Sequence, residues 1–370
     1  MENLIIYGGS FDPIHNGHLR IARAASLAYN ADVLFVPAQT PRWKEPEASA
    51  EQRVEMLRLA LKENGGPSFS IDLIEINEIS EVNYTVNTVK SLKKKYKDRE
   101  MYFLIGADQV NAFPKWKDPE IIASLVKIVY CPRPGVEIDG SIVERYSMLR
   151  LQYDGSGPVS STAVRNLQDI DIPLTVRDYI EKNGLYYMKK VSPYLTEHRL
   201  NHSLSVANLA YRIALKNQVE GYHKAYIAGL LHDIGKNMPI SEQRKIIREH
   251  FPEHIEDPEW SYHQFVGSYI AEHDFGIKDE AILDAIRYHA TGKRHMSPLG
   301  KIIYASDKIE PTRGYNSRPL INACLKNYYV GFITVLEANR EFLASKGYRN
   351  GDCRLSLECM DLYLGENEND

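Results

Sequence analysis

Long apolar runs are missing from this 370-residue sequence. A membrane-spanning helix needs about 20 consecutive apolar residues, and no run approaches that length. The first segment, "MENLIIYGGSFDPIH", also lacks the basic leader of a secretory signal peptide. We therefore expect a cytoplasmic protein that does not act in a membrane.

Cysteine is scarce, since the chain has only four, at Cys131, Cys324, Cys353 and Cys359. They include no C-x-x-C pair and do not resemble a disulfide framework. We expect ordinary thiols in a reducing compartment.

A large excess of charge of one sign is also missing. Lysine and arginine number 45 against 49 aspartates and glutamates, for a net charge of -4. This balance argues against a surface that coats nucleic acid, so we expect no nucleic-acid partner. The length exceeds that at which single cores usually stop growing, which predicts two domains.

The pattern of elements changes near residues 187 to 193. Before this point, short β-rich runs alternate with helix-like segments, which predicts right-handed βαβ units and a Rossmann-like parallel sheet. The runs are "LIIYG", "VLFVPA", "FSIDLIEI", "MYFLIGAD" and "KIVYCPRP". From residue 195 onward, successive amphipathic helices predict an all-α domain. We place the domains at 1–190 and 191–370.

A glycine-rich motif, "LIIYGGSFDPIHNGHL", joins the first predicted strand to the first predicted helix. Gly8 and Gly9 allow a phosphate to approach the backbone, and a helix N-terminus offers free N–H groups to an anion. His15 and His18 lie three residues apart, so both could contact one triphosphate. The alternative is a simple turn carrying two surface histidines.

The motif resembles that of the HxGH nucleotidyltransferase superfamily, and in particular its nicotinate-nucleotide adenylyltransferase branch. Further segments of the family pattern follow in order, over about half the chain: "PAQTPRWK", "SAEQRVEMLRLAL", "NYTVNTV", "YFLIGADQVNAFPKWKD", "VSSTAVR" and "VRDYIEKNGLYY". The resemblance implies transfer of AMP from ATP, with Mg²⁺, to nicotinate mononucleotide. The products would be deamido-NAD and pyrophosphate.

The resemblance also implies roles for individual residues. His15 and His18 would stabilise charge on the transferring α-phosphate, assisted by Lys44 and Arg165. Binding residues would be Gly8, Gly9, Ser10 and Phe11 in the motif, Gly106 and Asp108 at the adenosine, Tyr84 and Thr85 at the nicotinate carboxylate, and Trp116 on the pyridine ring. Ser161 or Thr162 would cap the helix that carries Arg165.

Two positions depart from the family pattern. Arg42 follows Pro41 where the family commonly has a second proline, and Asn83 stands where it commonly has serine. The second departure bears on the carboxylate pocket, so the choice between nicotinate and nicotinamide mononucleotide stays open.

In the second half, ligand-type side chains continue the apolar stripes of five predicted helices. His202 lies at helical offsets of four and seven from Val206 and Leu209, and the other positions follow similar patterns. The full set is His202, His232, Asp233, His263, His289 and Asp307. Periodicity alone leaves the pair His273 and Asp274 open as an alternative. Burying four imidazoles and two carboxylates together without a metal would be very costly.

The ligand order, with "LLHDIGK", "IRYHATG" and "YASDKIEPTR", resembles the HD phosphohydrolase superfamily. It is similar to the YqeK-type branch, the symmetrical dinucleoside-tetraphosphate hydrolases, and this resemblance favours His232 and Asp233 over the alternative pair. Six ligands exceed the needs of one octahedral ion, so we expect two ions bridged by Asp233, iron or manganese rather than zinc. The expected substrate is diadenosine tetraphosphate, giving two ADP.

Four polar residues are candidates for holding the polyphosphate: Lys236, Thr291, Lys293 and Arg313. For all but Lys236, which belongs to the "HDIGK" motif, a surface role is an equal alternative. Three functional alternatives stay open. The HD half could be a regulatory nucleotide-binding module or act on another nucleotide, and the N-terminal half could be a non-catalytic binding module. The oligomeric state is not predicted.

Overall fold

A computed structural model describes residues 3–39, 45–66, 68–77, 84–153, 159–347 and 353–365. The chain divides into two compact units. The first comprises Met1–Arg165 and Asp171–Tyr186, and the second comprises Asn166–Ile170 and Tyr187–Asp370.

A six-stranded, entirely parallel sheet forms the centre of the first unit, with the strand order β3-β2-β1-β4-β5-β6. The strands are β1 Asn3–Gly9, β2 Ala31–Pro37, β3 Phe69–Ile71, β4 Met101–Gly106, β5 Lys127–Cys131 and β6 Leu149–Arg150. This confirms the predicted Rossmann-like sheet. Because the strand order reverses between β1 and β4, a crevice opens at their carboxyl ends.

The helices of the first unit connect and cover these strands. They are α1 Asn16–Tyr29, α2 Ala50–Asn64, α3 Ile74–Asn77, α4 Thr85–Lys95, α5 Ala107–Val110, α6 Pro119–Leu125, α7 Gly140–Arg145, α8 Ser161–Arg165 and α9 Leu174–Lys182, with a 3₁₀ turn at Phe113–Lys115. The buried face of α4 packs Val86, Val89 and Leu92 into the core formed with β1 and β4. This packing places the start of α4 beside the crevice.

One predicted strand is shorter than expected. The run "FSIDLIEI" forms β3 only as far as Ile71, and α3 follows from Ile74. Asp72 ends the strand, because its side chain accepts a hydrogen bond from the Ile74 N–H at 3.1 Å and starts the turn. The expectation of a longer strand was wrong because a short apolar run does not distinguish strand from helix.

The second unit is helical, as predicted. Its helices are α10 Tyr187–Val191, α11 Glu197–Lys216, α12 His223–Leu231, α13 Ile240–His250, α14 Tyr262–His273, α15 Glu280–Arg287, α16 Pro298–Ile309, α17 Arg318–Lys326, α18 Tyr328–Ser345 and α19 Arg354–Leu364. Short 3₁₀ turns lie at Ser192–Tyr194, Pro252–His254 and Glu259–Ser261. Helix α12 is central: Ala225 to Leu231 are all buried, and α11, α15 and α16 pack around it.

The four cysteines are free thiols, as the sequence predicted. Each of the four cysteines is buried with a free thiol, and burial raises the pKa of Cys131 and Cys359 to about 11. Such thiols are poor nucleophiles, as expected of structural cysteines.

Within the described ranges, no helix has the length and apolar character needed to cross a membrane.

Candidate active sites

The crevice at the carboxyl ends of β1 and β4 has two lobes. The first lobe, a cavity of about 350 Å³, is lined by residues that include Gly8, Phe11, His15, His18, Gly106, Asp108 and Ser161. The second lobe, on the other side of the strand ends, includes Gly8, Gly9, Thr85, Gly106 and Trp116. The structure therefore brings together many of the residues predicted to contact nucleotide, with Asp108 in the first lobe, Thr85 and Trp116 in the second, and Gly106 in both.

His15 and His18 cap the start of α1 reciprocally. The His15 Nδ1 accepts the His18 N–H, and the His18 Nδ1 accepts the His15 N–H, both at 3.3 Å. Accepting at Nδ1 leaves the proton of each neutral ring on Nε2. The two rings stack with centroids 3.6 Å apart, so two N–H donors are held side by side in the first lobe.

Burial keeps both imidazoles neutral. It lowers the pKa of His18 to about 3 and that of His15 well below its usual range. The close stacking requires a glycine at position 17, because a Cβ there would lie 2.9 Å from the His15 Nδ1. In the absence of nucleotide, the pair is a set of hydrogen-bond donors without net charge.

Two arginines that were not among the predicted residues, Arg20 and Arg133, also line the first lobe. Arg20, on α1, forms an ion pair with Asp171 at 2.8 Å. Arg133 follows the carboxyl end of β5. Because ligand-binding loops follow the carboxyl ends of parallel strands, this position in the sequence could have indicated a ligand contact. Both guanidinium groups suit a polyphosphate.

Arg165 is placed differently from its predicted neighbours. It is buried, donates from Nη1 to the Asp12 carbonyl at 2.5 Å, and pairs through Nε with Glu47 at 2.8 Å. It lines neither lobe. The predicted cap of its helix was wrong, because the Ser160 hydroxyl accepts the Ala163 N–H, whereas Thr162 accepts from Arg165 itself.

In the second lobe, Trp116 packs against Phe113, with ring centroids 5.2 Å apart. The lobe also contains Glu75, an unpredicted carboxylate that accepts a hydrogen bond from Thr88 at 2.8 Å. Tyr84 precedes α4 and lies outside the lining, with the Lys117 ammonium 4.2 Å from its ring centroid.

Other predicted positions of the first unit lie elsewhere. Ser10 lies outside both lobes, and its carbonyl accepts from Arg53 at 2.6 Å. Lys44 and the two family departures, Arg42 and Asn83, lie outside the described residues. Their roles stay predictions.

All six predicted metal ligands of the second unit meet at one place. His202 lies on α11, His232 and Asp233 follow α12 directly, His263 lies on α14, His289 follows α15, and Asp307 lies on α16. Five of them line a cavity of about 520 Å³, and His232 is fully buried. The helical spacing and the HD resemblance together predicted this set, and the structure places its six members side by side.

The ligand atoms form two groups that share Asp233. His202, His232 and Asp233 make one group, and Asp233, His263 and His289 make the other, each with donor atoms within 4.8 Å of one another. The Asp233 Oδ1 lies 3.4 Å from the His263 Nε2 and 3.7 Å from the His289 Nε2. Asp307 Oδ1 lies 3.1 Å from the His202 Nε2 and 3.6 Å from the His232 Nε2.

Backbone carbonyls orient three of the imidazoles. The Nδ1–H groups of His232, His263 and His289 donate to the carbonyls of Gly229, Trp260 and Ile286 at 2.7 to 2.8 Å. His202 places its Nδ1 3.1 Å from the Glu310 carboxylate. Each Nε2 is therefore directed to the centre, an arrangement typical of metal-binding histidines.

The electrostatics of the cluster suit cations. Burial by itself would raise the pKa of Asp233, but His232, His289 and His263 outweigh it and hold that pKa below its usual range. Burial lowers the pKa of His263 and of His289, so both rings are neutral. The buried His232 Nε2 has no hydrogen-bond partner among the described residues. An ionised carboxylate beside neutral imidazoles is the form in which these ligand types bind divalent ions.

Cationic side chains surround the ligand cluster. Of the predicted phosphate contacts, Lys236 and Arg313 line the cavity, and Arg199 and Lys308 join them without having been predicted. Thr291 and Lys293 do not reach the cavity. The Thr291 hydroxyl is buried and donates to the Gly292 carbonyl, whereas Lys293 pairs with Asp284 at 2.5 Å.

The alternative pair lies at a helix end. His273 is the last residue of α14, and Asp274 caps it and accepts a hydrogen bond from the Tyr194 hydroxyl at 2.5 Å. Neither residue lines the cavity.

The fold and site define the class of the protein: a nucleotidyltransferase-type domain followed by an HD-type domain. Residues 6–167 match the model of the cytidylyltransferase-like family, and residues 199–312 match that of the HD domain. Both resemblances seen in the motifs are thus confirmed.

Two relatives narrow the class of the protein further. The chain is 33% identical over 313 residues to a Mycoplasma pneumoniae protein named a probable nicotinate-nucleotide adenylyltransferase/Ap4A hydrolase, covering 84% of this chain and 89% of the relative. It is also 36% identical to the nicotinate-nucleotide adenylyltransferase of Bacillus subtilis, over 50% of this chain and 99% of that one. The chain belongs to the family of bifunctional nicotinate-nucleotide adenylyltransferase/Ap4A hydrolase enzymes.

Among solved structures, the chain is similar to a protein of Clostridium acetobutylicum described as a predicted HD superfamily hydrolase involved in NAD metabolism. The identity is 30%, the match covers 51% of this chain and 96% of that one, and the TM-score is 0.43.

Proposed function

We propose that this chain catalyses both reactions named by its family. The first transfers AMP from ATP to nicotinate mononucleotide, and the second hydrolyses diadenosine tetraphosphate to two ADP. The observation that carries the proposal is the pair of ligand groups joined at Asp233, together with the stacked histidine pair of the first lobe.

In adenylyl transfer, a phosphate oxygen of the mononucleotide attacks the α-phosphorus of ATP, and the bond to the β-phosphate oxygen breaks to release pyrophosphate. His15 and His18 donate their Nε2–H groups to the α-phosphate oxygens, where negative charge develops. Arg20 and Arg133 hold the remaining phosphates of ATP. The resemblance implies that Mg²⁺ and Lys44 also contact the triphosphate. Arg165 acts through Asp12 as a positioning residue for the motif loop, supported by its burial.

On the acceptor side, Trp116 and Thr85 of the second lobe bind the pyridine ring and its carboxylate, with Tyr84 beside them. Nicotinate mononucleotide is the proposed acceptor, as the resemblance implies. Glu75 in the same lobe would orient the buried Thr88 through the 2.8 Å hydrogen bond.

In the hydrolysis, water adds to a β-phosphorus of the tetraphosphate and the central bridging oxygen leaves with the other ADP. Two divalent ions held by the six ligands would supply an activated water and neutralise the phosphate oxygens. Iron or manganese suits imidazole and carboxylate ligands in this number. Lys236, Arg199, Lys308 and Arg313 orient the tetraphosphate, supported by their place in the cavity lining.

The proposed domains are 1–190 for the transferase and 191–370 for the hydrolase. The proposed location is the cytoplasm, where the buried free thiols stay reduced, and nucleic acid is not a proposed partner. ATP, nicotinate mononucleotide and diadenosine tetraphosphate are the proposed ligands.

The hydrolase is tested by chromatography of the products formed from diadenosine tetraphosphate by the full chain loaded with Fe²⁺ or Mn²⁺. We expect ADP as the sole product, and its loss in the double variant His232→Ala, Asp233→Ala. His273→Ala is the matched control, because it removes an exposed imidazole of the helix-end pair. AMP with ATP as products, or intact substrate, would contradict symmetrical hydrolysis.

The transferase is tested by pyrophosphate release from ATP with nicotinate or nicotinamide mononucleotide as acceptor. We expect faster release with the nicotinate form, and a loss of about 10² to 10³ in kcat for His18→Ala, since one donor to a developing charge is removed. The double variant His232→Ala, Asp233→Ala serves as the control and should retain full transfer. A wild-type chain that binds both substrates but releases no pyrophosphate would favour a non-catalytic binding module.

A further inference from the structure

Trp260 is a large apolar side chain left exposed at the mouth of the metal-ligand cavity. Its side chain is 52% exposed, and it lines the cavity together with Lys236 and His263. Among the described lining residues, it is the only aromatic side chain besides the imidazoles. The exposed indole is therefore available to a ligand in a cavity lined mainly by polar side chains.

The backbone beneath this indole is firmly held. Both the N–H and the hydroxyl of Ser261 donate to the Pro258 carbonyl, at 2.8 and 2.7 Å. Tyr262 is buried, and its hydroxyl donates to the Ile255 carbonyl. The Trp260 carbonyl itself accepts from the His263 Nδ1–H at 2.8 Å. The exposed ring therefore stands on a rigid turn, which reduces the ordering cost when a flat ligand binds.

The rest of the cavity suits phosphate rather than a base. Its lining combines the ligand cluster with the cations Arg199, Lys236, Lys308 and Arg313. A dinucleoside tetraphosphate also carries two flat purine rings, which need an apolar surface. Nucleobases stack on exposed aromatic side chains with little dependence on base identity.

We infer that Trp260 is the stacking platform for one nucleobase of the substrate and selects nucleoside-bearing polyphosphates over bare polyphosphate. This role rests on the proposed diadenosine tetraphosphate hydrolysis. Trp260 binds substrate but performs no chemistry, so it acts on KM and leaves kcat unchanged.

The test compares Trp260→Ala, Trp260→Phe and wild-type full chain loaded with Mn²⁺. For Trp260→Ala, we expect the KM for diadenosine tetraphosphate to rise about ten-fold or more, with kcat retained. The inhibition constant of inorganic tetraphosphate, which lacks bases, should not change. Trp260→Phe should restore most of the affinity. Phe342→Ala, which removes another exposed aromatic side chain of the same unit, should have no effect.

Equal weakening of both ligands would overturn the inference, because it would mean that Trp260 only positions His263. An unchanged KM would overturn it as well. If wild-type protein hydrolyses no diadenosine tetraphosphate, the proposed function fails. Stacking is then decided by calorimetric binding of that dinucleotide to wild type and Trp260→Ala, where equal affinities would refute it.

Discussion

At the scale of single residues, a candidate metal ligand depends on the side chain that holds its other ring nitrogen. Glu310 is buried, with its carboxylate 3.1 Å from the His202 Nδ1. It also accepts from the N–H and hydroxyl of Thr312, both at 2.7 Å, which fixes its position. A fixed carboxylate orients the imidazole and increases its basicity.

We therefore predict that Glu310→Gln lowers the affinity for Mn²⁺ about 10- to 100-fold, as measured by calorimetric titration of metal-free protein. Glutamine keeps the size but replaces one carboxylate oxygen by an N–H donor group, so it loses both the charge and one of the acceptors that hold Thr312 and His202. Glu280→Gln, on the exposed surface of α15, is the matched control and should bind Mn²⁺ normally. An unchanged Mn²⁺ affinity in Glu310→Gln would show that the carboxylate does not act on the metal through His202.

At the scale of elements, the close approach of the turn after α12 to α14 brings together one of the two ligand groups. A Cβ at Gly235 would lie 2.7 Å from the His263 carbonyl and 2.8 Å from the Gly267 N–H. Only glycine therefore lets the turn after α12 pack against α14. That contact brings Asp233 within 3.4 Å of the His263 Nε2.

We predict that Gly235→Ala forces α14 away from this turn. The free energy of unfolding should fall by about 1–3 kcal/mol, as expected for overpacking against backbone. Mn²⁺ stoichiometry, measured by elemental analysis, should fall from two to one as the His263 group is lost. Gly140→Ala is the control, because its Cβ would meet no atom within 4 Å. Two ions and full stability in Gly235→Ala would refute the prediction.

At the scale of the whole molecule, two unrelated scaffolds serve the same chemical class of ligand. The net charge is -4, so the overall field does not attract polyphosphates. Each unit instead concentrates positive charge locally. Arg20 and Arg133 do so in the first lobe beside the strand ends, whereas Lys236, Lys308 and Arg313 do so around the six candidate metal ligands.

The sequence by itself determined the two fold classes and, with the HD resemblance to choose between two His-Asp pairs, the set of six candidate ligands. Residues such as His202 and Asp307 continue apolar stripes, and a helix of 3.6 residues per turn must then point them inward. The histidines of the first motif were equally readable, because their spacing at a helix start places both on one face.

Only the tertiary structure decided which polar side chains join those sites. Thr291 and Lys293 follow His289 closely in sequence, yet local hydrogen bonds and an ion pair turn them away from the cavity. Lys308 and Trp260 belong to the lining because separate elements meet there. Arg165 is engaged by Asp12, 153 residues away in the chain. Local periodicity specifies a direction on one element, whereas such contacts depend on the packing of elements that are distant in sequence.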